Sequence, residues 1–442
     1  MHDSKGEMSS RDGRDSPVVV VGTTPDYVER ICSEYQGSVL FTLDEKFRGD
    51  PLLKRVDPSI LFFAPLEEWE RVFGSMEEYL TAKRLSPKGI ACFDCENLVL
   101  ASLLAARLGL FFPPVEAVLN TRNKLETRRK LVEAGLCGVR AIPASGLEET
   151  LGFFRDLGKE IVIKPLTGSG SELLFRCGSE REVRDSVRIL AQELPMRRSN
   201  HLFHIAPKGA FPALSPDPCR TWIAEEYVSG PEYSCDFVLN GGQVTIIRET
   251  GKLMAPDQTF GSVLAYTCPP SYPEGFSIDG LSVVLRDVSR ALGFSMGYFM
   301  VDFVVHEGQP FIIEISPRPG GDSIPHLVKT AMGCDTIGLY LDMACGRPFY
   351  PDRDFPIRPS GSLNLYGTRE GIITLLDTSE MEKQGWVRKI FLKKRAGDRI
   401  GLPPHDYDNR LLGYCIVSLE QPGDLIHMHQ ALLDLMKISI TN

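Results

Sequence analysis

A pair of β-strands joined by a tight turn is the strongest structural signal in the chain. Residues 298–305 and 311–315 are rich in β-branched and aromatic side chains, and the intervening segment HEGQP contains the glycine and proline typical of a turn. If the turn centres on Gly308, Asp302 faces Glu314 across the two strands, with Cβ atoms roughly 5 Å apart on one face. The segment is therefore predicted to form an antiparallel hairpin that brings two acidic side chains together.

Two carboxylates at that separation repel each other, by about 3 kcal/mol at an effective dielectric constant of about 20. A cation removes this repulsion, and Mg²⁺ favours a site of one or two carboxylates completed by the phosphates of a substrate. We therefore interpret Asp302 and Glu314 as candidate metal ligands. The alternative is a solvated hairpin whose acidic residues share no role.

Length and composition restrict the class of protein. A chain of 442 residues is long enough for two or three domains, and 43% hydrophobic with 24% charged residues is typical of a soluble globular protein. The formal net charge of −9 argues against binding to a nucleic acid, but a single nucleotide needs only a few lysines. The most apolar window, residues 98–119, is interrupted by Arg107, Glu116 and two prolines, so it favours a buried helix and loop over a membrane span.

The first residues and the cysteines indicate the compartment. Residues 1–15 are polar and lack the apolar core of a secretion signal, and we predict a flexible tail there. The eleven cysteines show no disulfide-framework spacing, which predicts reduced thiols and a cytoplasmic protein. Cys92 and Cys95 form a C-x-x-C pair without a second such pair, so a structural role is favoured over a redox or zinc site.

The first hundred residues alternate short apolar runs with helical patterns. We predict strands at 18–21, 38–42, 60–63 and 89–93, and helices at 25–35, 76–85 and 96–108. Alternation of this kind predicts an α/β fold with a parallel sheet and helices on its faces. The Gly22-Thr-Thr-Pro turn lacks the G-x-G-x-x-G spacing, so no dinucleotide site is predicted.

The middle of the chain carries two lysines in distinctive settings. Lys124 lies in the first turn of a predicted helix, 123–134, and Lys164 ends a predicted strand, 160–165. The loop after that strand consists of Thr167, Gly168, Ser169, Gly170 and Ser171. Further elements are predicted at 180–194 and 221–227 in the middle region, and at 362–366, 415–419 and 423–437 near the C-terminus. Residues 195–220, with five prolines, are predicted to be an irregular insertion that is functional or mobile.

The two lysines and the loop of small residues are typical of a site that binds the phosphates of a nucleotide. Backbone N–H groups of a loop with small residues can converge on phosphate oxygens, and lysines act on the same group as point charges. The loop does not fit G-x-x-x-x-G-K-[ST], which argues against a P-loop. The segment EEYVSGPE, residues 225–232, reads as a strand entering a tight turn, whose backbone can pair with an adenine edge while Glu232 accepts hydrogen bonds from a ribose. A plain turn and a surface hairpin remain the alternatives.

Five segments occurring in one order together resemble the ATP-grasp superfamily. They are TRNKLETRRKLVEAG, IVIKPLTGSGS, AEEYVSGPEYS, MVDFVV and FIIEISPRPGGD. The pattern is most similar to the biotin-carboxylase-like branch that includes L-amino-acid ligases and carnosine-synthase-type enzymes, over residues 16–345 and more faintly to the C-terminus. The resemblance implies an α/β domain at 16–115 and an α+β ATP-grasp domain at 116–345, whose two subdomains clasp ATP and whose lid spans about 155–227. A small α+β domain would follow at 346–442.

The resemblance also implies roles for individual residues. Lys124 and Lys164 would contact the ATP phosphates beneath a mobile lid loop, residues 167–171, and Glu232 would hold the ribose. The remaining implied sites are the adenine pocket at Glu225, Glu226, Tyr227 and Val228, the metal site at Asp302, Glu314 and Ser316, and the transferred phosphate or acyl-phosphate at Lys252 and Arg318. Two departures are evident. Ser316 stands where many relatives carry asparagine, and PGGDSIPH after Arg318 lacks the glutamate of true biotin carboxylases, which argues against bicarbonate chemistry.

The implied activity is that of an ATP-dependent carboxylate–amine ligase working through an acyl-phosphate. Its cofactors would be ATP and two Mg²⁺ ions, which Mn²⁺ could replace, and its substrates a small carboxylate and an amine, with amino acids favoured. Residues 195–220, 255–270 and the segment after Arg318 are expected to form the substrate walls. A homodimer is compatible with the resemblance, whereas nucleic-acid and membrane partners are not expected. The alternatives are an ATP-dependent carboxylase or purine-pathway ligase of the same fold, and a non-catalytic ATP-binding module.

Overall fold

The computed structural model describes residues 16–136, 138–211, 216–347, 355–419 and 425–441. The predicted tail at 1–15 and part of the predicted insertion, 212–215, lie outside these ranges. Within them the chain forms two compact units. The first unit takes in residues 16–118, 206–211 and 337–347, and the second unit contains the others.

The first unit has the predicted alternation of strands and helices. Its elements are β1 (Val18–Val21), α1 (Pro25–Glu34), β2 (Val39–Asp44), β3 (Leu61–Ala64), α2 (Trp69–Lys83), β4 (Gly89–Ala91) and α3 (Leu98–Leu108). The strands are parallel in the order β3-β2-β1-β4, which confirms the predicted parallel sheet. Helix α2 begins at Trp69, before the predicted start at residue 76, because its buried stripe already starts at Val72 and continues through Met76 and Leu80.

The second unit begins with a small antiparallel sheet covered by helices. The elements up to the last strand of this sheet are α4 (Val115–Arg122), α5 (Lys124–Glu133), β5 (Ala141–Ala144), α6 (Leu147–Leu157), β6 (Ile161–Pro165), β7 (Phe175–Cys177), α7 (Glu180–Glu193) and β8 (Trp222–Glu226). Residues 115–118 of α4 belong to the first unit. The strand order is β5-β8-β6-β7. Helices α6 and α7 bury Leu151 and Leu190 in a core shared with Trp222 of β8. This packing fixes the end of β6, where Lys164 lies.

A large antiparallel sheet dominates the rest of the second unit. The remaining elements are β9 (Glu232–Asn240), β10 (Gln243–Met254), β11 (Val263–Cys268), α8 (Ile278–Leu292), β12 (Met296–His306), β13 (Gln309–Ser316), α9 (Ile324–Met332), α10 (Thr336–Ala344), β14 (Ser360–Tyr366), β15 (Gly371–Asp377), α11 (Ser379–Glu382), β16 (Val387–Leu392), β17 (Arg399–Ile400), β18 (Leu411–Ser418), α12 (Leu425–Leu435) and β19 (Lys437–Thr441). Residues 337–344 of α10 belong to the first unit. The large sheet has the order β13-β12-β9-β10-β11-β14-β18-β16, and a smaller one has the order β17-β15-β19. The predicted hairpin is therefore β12–β13, with β13 at the sheet edge.

Three global features bear on the sequence predictions. Strands β14, β16 and β18, which follow residue 346, extend the sheet that contains the hairpin, while the predicted domain boundary at 345/346 stays a prediction. Among the described residues, ten cysteines are free thiols. Within the same ranges, every helix is too short or too polar to cross a bilayer.

Candidate functional site

The β12–β13 hairpin brings Asp302 and Glu314 directly opposite each other, but not for the predicted reason. The turn is formed by Glu307 and Gly308, both with positive φ (50° and 76°), so that residues 306 and 309 are paired. Such a turn followed by a regular ladder would place Asp302 opposite Ile313. A β-bulge makes Ile313 an extra residue, and the next pair becomes Asp302 with Glu314. The predicted pairing is present, whereas the predicted centre of the turn at Gly308 is wrong.

Lysine side chains lie against both carboxylates. Nζ of Lys252 donates a hydrogen bond of 2.6 Å to Oδ2 of Asp302, and Nζ of Lys124 lies 4.0 Å from Oε2 of Glu314. The two ammonium groups already offset the repulsion between the acids, so that repulsion does not by itself require a metal. Both carboxylates remain partly exposed, at 23% for Asp302 and 28% for Glu314, and can therefore accept a ligand.

The two carboxylates suit a cation that takes most of its ligands from bound phosphate and water rather than from the protein. Across the described part of the chain, no group of three or more histidine, cysteine, aspartate or glutamate side chains is arranged to hold a metal. The protein would thus supply Asp302 and Glu314, and phosphate and water oxygens would complete the shell, as Mg²⁺ prefers. Ser316 lies on the same face as Glu314, opposite Met300, and is buried.

Glu232 belongs to this same face of the sheet. It is the cross-strand partner of Lys252 on one side and of Val304 on the other. Burial raises the pKa of Glu232, the Lys252 ammonium opposes that rise, and the Asp302 carboxylate adds to it. Glu232 is therefore electrostatically linked to the predicted metal and phosphate residues, while its predicted contact with a ribose stays a prediction.

A buried ion-pair triad holds Lys164. Its Nζ donates to Oε1 of Glu225, and Nε of Arg128 donates to Oε2 of the same carboxylate at 3.0 Å. Burial lowers the pKa of Lys164 although Glu225 opposes that effect. Burial also acts to raise the pKa of Glu225, but Arg128 and Lys164 together hold it at about 2. The carboxylate of Glu225 is therefore committed to two internal cations.

Arg128 is a site residue that the sequence analysis missed. It lies in α5 four residues after Lys124, and residues with that spacing share one face of a helix. The i, i+4 spacing of two basic residues in a helix of predicted function was the available signal. Nothing in the sequence indicated that Glu225, almost a hundred residues later, would neutralise it.

The predicted phosphate loop has an unusual backbone. Positive φ values occur at Gly168 (127°), Gly170 (64°), Ser171 (59°) and Leu173 (55°). Oγ1 of Thr167 donates to the carbonyl oxygen of Leu202 at 3.2 Å, whereas Ser169 and Gly170 are exposed. Successive residues of this kind turn neighbouring N–H groups toward one side of a loop, which is how backbone nests bind anions.

Side chains fix the loop at both ends. Nζ of Lys124 donates to the carbonyl oxygen of Gly168 at 3.1 Å, and Oγ of Ser171 donates to that of Gly261 at 2.8 Å. Lys124 therefore contacts the loop and approaches Glu314, so one ammonium group links the predicted phosphate and metal residues.

The predicted adenine segment, residues 225–228, begins at Glu225 of the ion-pair triad. Glu226 ends β8 with its carboxylate on Lys159, at 2.8 Å. The backbone N–H of Tyr227 donates to the carbonyl oxygen of Glu160 at 3.0 Å, and the centre of the Tyr227 ring lies 4.2 Å from the guanidinium carbon of Arg176. Val228 continues beyond the strand. The role of this segment toward adenine stays a prediction.

The turn that carries Arg318 is held by a fully buried ion pair. Nη2 of Arg248 donates to Oδ1 of Asp236 at 2.6 Å, and both side chains are 0% exposed. The same carboxylate accepts the hydroxyl of Tyr298 and the backbone N–H of Gly320, each at 3.1 Å. Asp236 therefore anchors the chain two residues after Arg318. Sequence reasoning missed this pair, because β9 and β10 each contain further charged residues and nothing local marks Asp236 and Arg248 as partners.

Gly320→Ala is expected to lower the free energy of unfolding by about 1–3 kcal/mol, as overpacking does. A Cβ atom at Gly320 would lie 2.3 Å from Nη2 of Arg248 and 3.2 Å from Oδ1 of Asp236. Urea denaturation measures the change. Gly152→Ala in α6 is the matched control, because its Cβ would meet nothing within 4 Å and helix propensity favours alanine. Equal stability of Gly320→Ala and the native protein would contradict the packing.

Comparison with known proteins gives a consistent picture. Residues 157–326 match the family model described as the ATP-grasp domain. The chain is 26% identical over 265 residues to the uncharacterized protein y4rH of Sinorhizobium fredii, covering 60% of this chain and 50% of that protein. It is 22% identical to the L-arginine-specific L-amino acid ligase of Bacillus subtilis, covering 75% of each, and 28% identical to carnosine synthase 1 of Gallus gallus, covering 43% of this chain and 22% of that protein.

The solved structures agree on the fold. The L-amino acid ligase from Bacillus licheniformis superposes with a TM-score of 0.73 at 19% identity, covering 97% of this chain and 100% of that one. A biotin carboxylase from Campylobacter jejuni superposes with a TM-score of 0.64 at 15% identity, covering 96% of this chain and 92% of that one. At these identities the likeness concerns the fold. The chain spans half of y4rH and about a fifth of carnosine synthase 1.

Proposed function

Because residues 157–326 match the family model of the ATP-grasp domain, we propose that the chain is an ATP-dependent carboxylate–amine ligase that acts on amino acids. The observation that carries the proposal is the opposed pair Asp302 and Glu314, partly exposed on one sheet face with Lys252 and Lys124 against them. Carboxylates and lysines in this arrangement suit a magnesium-bearing triphosphate. The L-amino acid ligases among the similar proteins support the choice of substrate.

The reaction proceeds in two displacements. A carboxylate oxygen attacks the γ-phosphorus of ATP, so that a new O–P bond forms and ADP leaves. The amine nitrogen then attacks the acyl carbon of the resulting acyl-phosphate. A C–N bond forms, the C–O bond to phosphate breaks, and the amine loses one proton. Mg²⁺ held by Asp302 and Glu314, with Ser316 on the same face, would neutralise the phosphate charge.

This chemistry depends on alignment and charge rather than on a protein nucleophile. Lys124 and Lys164 hold the phosphates, Lys252 faces the transferred phosphoryl group, and Arg318 stabilises the acyl-phosphate, each as a preorganised charge. The loop at 167–171 is the lid that keeps water from the acyl-phosphate. Residues 225–228 receive the adenine, and Glu232 receives the ribose.

The same proposal extends to organisation. The α/β domain occupies 16–115, the ATP-grasp domain occupies 116–345 with a lid subdomain at about 155–227 that contains the loop at 167–171, and a further domain occupies 346–442. Substrate walls come from 195–220, 255–270 and the segment after Arg318. The enzyme works in the cytoplasm with two Mg²⁺ ions, and a homodimer is compatible with this arrangement.

Screening ADP release against pairs of amino acids, with mass detection of the product, tests the activity. We expect release that requires both a carboxylate and an amine. Hydroxylamine should replace the amine and yield a hydroxamate, because it traps an acyl-phosphate. Release that requires bicarbonate and no amine would instead indicate a carboxylase. Nucleotide binding without phosphate release in every mixture would indicate a non-catalytic ATP-binding module.

A further inference from the structure

The side chain of Arg128 ends at the irregular point of the β12–β13 hairpin. Nη1 donates to the carbonyl oxygen of Ile312 at 2.8 Å, and Nη2 donates to that of Ile313 at 3.4 Å. The guanidinium carbon also lies 4.9 Å from the centre of the Phe311 ring. Three consecutive residues of β13, up to and including the bulge residue Ile313, therefore contact one buried side chain that is 4% exposed.

The bulge decides which way Glu314 points. With the turn at 307–308 and no bulge, Asp302 would face Ile313, and strand alternation would turn Glu314 to the opposite face. A bulge also interrupts the ladder, so backbone carbonyls near it need other donors. Arg128 supplies two N–H groups at this place.

The other edge of the guanidinium is fixed as well. Nε of Arg128 donates to Glu225, whose second oxygen accepts Nζ of Lys164. The planar group thus joins the phosphate lysine of β6 to the bulge in β13. Lysine has no planar fork and cannot make these contacts together.

We propose that Arg128 is a positioning residue, which holds the Ile313 bulge in place and thereby aligns Glu314 with Asp302 for a divalent cation. The inference rests on the proposed metal-dependent function. Arg128 donates to the carboxylate of Glu225 and to the backbone carbonyl oxygens of Ile312 and Ile313, so we place its effect in the backbone of β13.

Arg128→Lys tests the proposal, with Arg129→Lys as the matched control. Arg129 lies on the same helix but is exposed and pairs with Glu126 and Glu133. Binding of Mn²⁺ in the presence of ADP, followed by electron paramagnetic resonance, is expected to weaken about 10-fold or more in Arg128→Lys, as for other residues that orient metal ligands. The Mg²⁺ concentration for half-maximal ADP release should rise in parallel. Arg129→Lys should bind Mn²⁺ as the native protein does, and native affinity in Arg128→Lys would overturn the proposal.

Deletion of Ile313 provides a rescue. Without this residue a regular ladder from the same turn places Glu314 opposite Asp302, and the pairs beyond it keep their register. Because β13 is an edge strand, only β12 pairs with it in the described sheet. The deletion in the Arg128→Lys background should restore Mn²⁺ affinity to within about 3-fold of native, as expected if Arg128 acts only on register. Failure to restore it in a folded protein would overturn the proposal.

Two further variants test the proposal if Arg128→Lys does not fold, and separate the role of Arg128 from the existence of the metal site. If Arg128→Lys does not fold, deletion of Ile313 in the otherwise native chain should still bind Mn²⁺, and loss of binding there would count against the register argument. Glu314→Gln separates this inference from the proposed function. Native Mn²⁺ affinity in Glu314→Gln would remove the metal site itself, whereas weakened binding in Glu314→Gln with native binding in Arg128→Lys would remove only the role of Arg128.

Discussion

Glu314→Gln is expected to lower kcat for ADP release by about 10²–10³-fold or more while leaving the protein folded. The change removes one of the two charges opposed across the β12–β13 hairpin, and electrostatic groups of this kind contribute about that much to catalysis. The stability cost should be small, within about 1 kcal/mol, because the side chain is partly exposed on an edge strand. Lys124 loses one partner but keeps its hydrogen bond to the Gly168 carbonyl.

Steady-state ADP release at saturating ATP and Mg²⁺ measures the effect, with circular dichroism to verify the fold. Glu307→Gln is the matched control. Glu307 lies exposed at the turn of the same hairpin, and its substitution removes the same charge from the chain. Its turnover should equal that of the native protein. Native turnover in Glu314→Gln would show that Glu314 is not a metal ligand for this reaction.

Local signals account for the parts of the fold that the sequence predicted. Strands β1–β4 and helices α1 and α3 come from runs of apolar residues with a clear period, and such runs bury the same face in most contexts. The hairpin was predicted from the composition of its strands and from Gly308, which suits positive φ. These features depend on neighbours within a few residues.

The bulge in the hairpin could not be predicted in this way. The bulge at Ile313 is contacted by Arg128, which lies 185 residues earlier in the chain, so its position depends on tertiary structure. The long strands β9 and β10 were not predicted at all. Their charged residues, such as Asp236 and Arg248, neutralise each other across the sheet, and a charge in an apolar strand reads as a loop signal until its partner is known.

Contacts within the candidate site could not be predicted from local sequence patterns either. Arg410 is buried and donates to the hydroxyl of Ser262, 148 residues away, beside the loop that contains Gly170. The resemblance assigns the segment that begins at Glu225 to an adenine pocket, and no local signal indicated that the Glu225 carboxylate pairs with Arg128 and Lys164. Residue type and local pattern indicated which residues matter, but pairing between distant residues decides what each one contacts.

Substitution of Glu225, the shared carboxylate of the buried ion-pair triad, is expected to have a large effect on stability. Glu225→Gln leaves the buried cations Arg128 and Lys164 without their shared counter-ion, and breaking a buried ion pair from one side costs about 3–5 kcal/mol. Urea denaturation at pH 7 should show this loss. Glu226→Gln, the next residue of β8, is the control, because Glu226 pairs with the exposed Lys159 and such pairs contribute about 0–1 kcal/mol.

The effect should also depend on pH with a definite sign. The pKa of Glu225 is about 2 in the folded protein, below the ordinary 4.5, so its charged form stabilises the fold above about pH 4.5 and that contribution is lost as the pH falls through about 2. A depression of this size corresponds to about 3 kcal/mol. The difference in unfolding free energy between native and Glu225→Gln proteins should therefore be constant from pH 7 to 5 and narrow below pH 4. A constant difference down to pH 3, or equal losses in Glu225→Gln and Glu226→Gln, would mean that the buried carboxylate is not what balances the two cations.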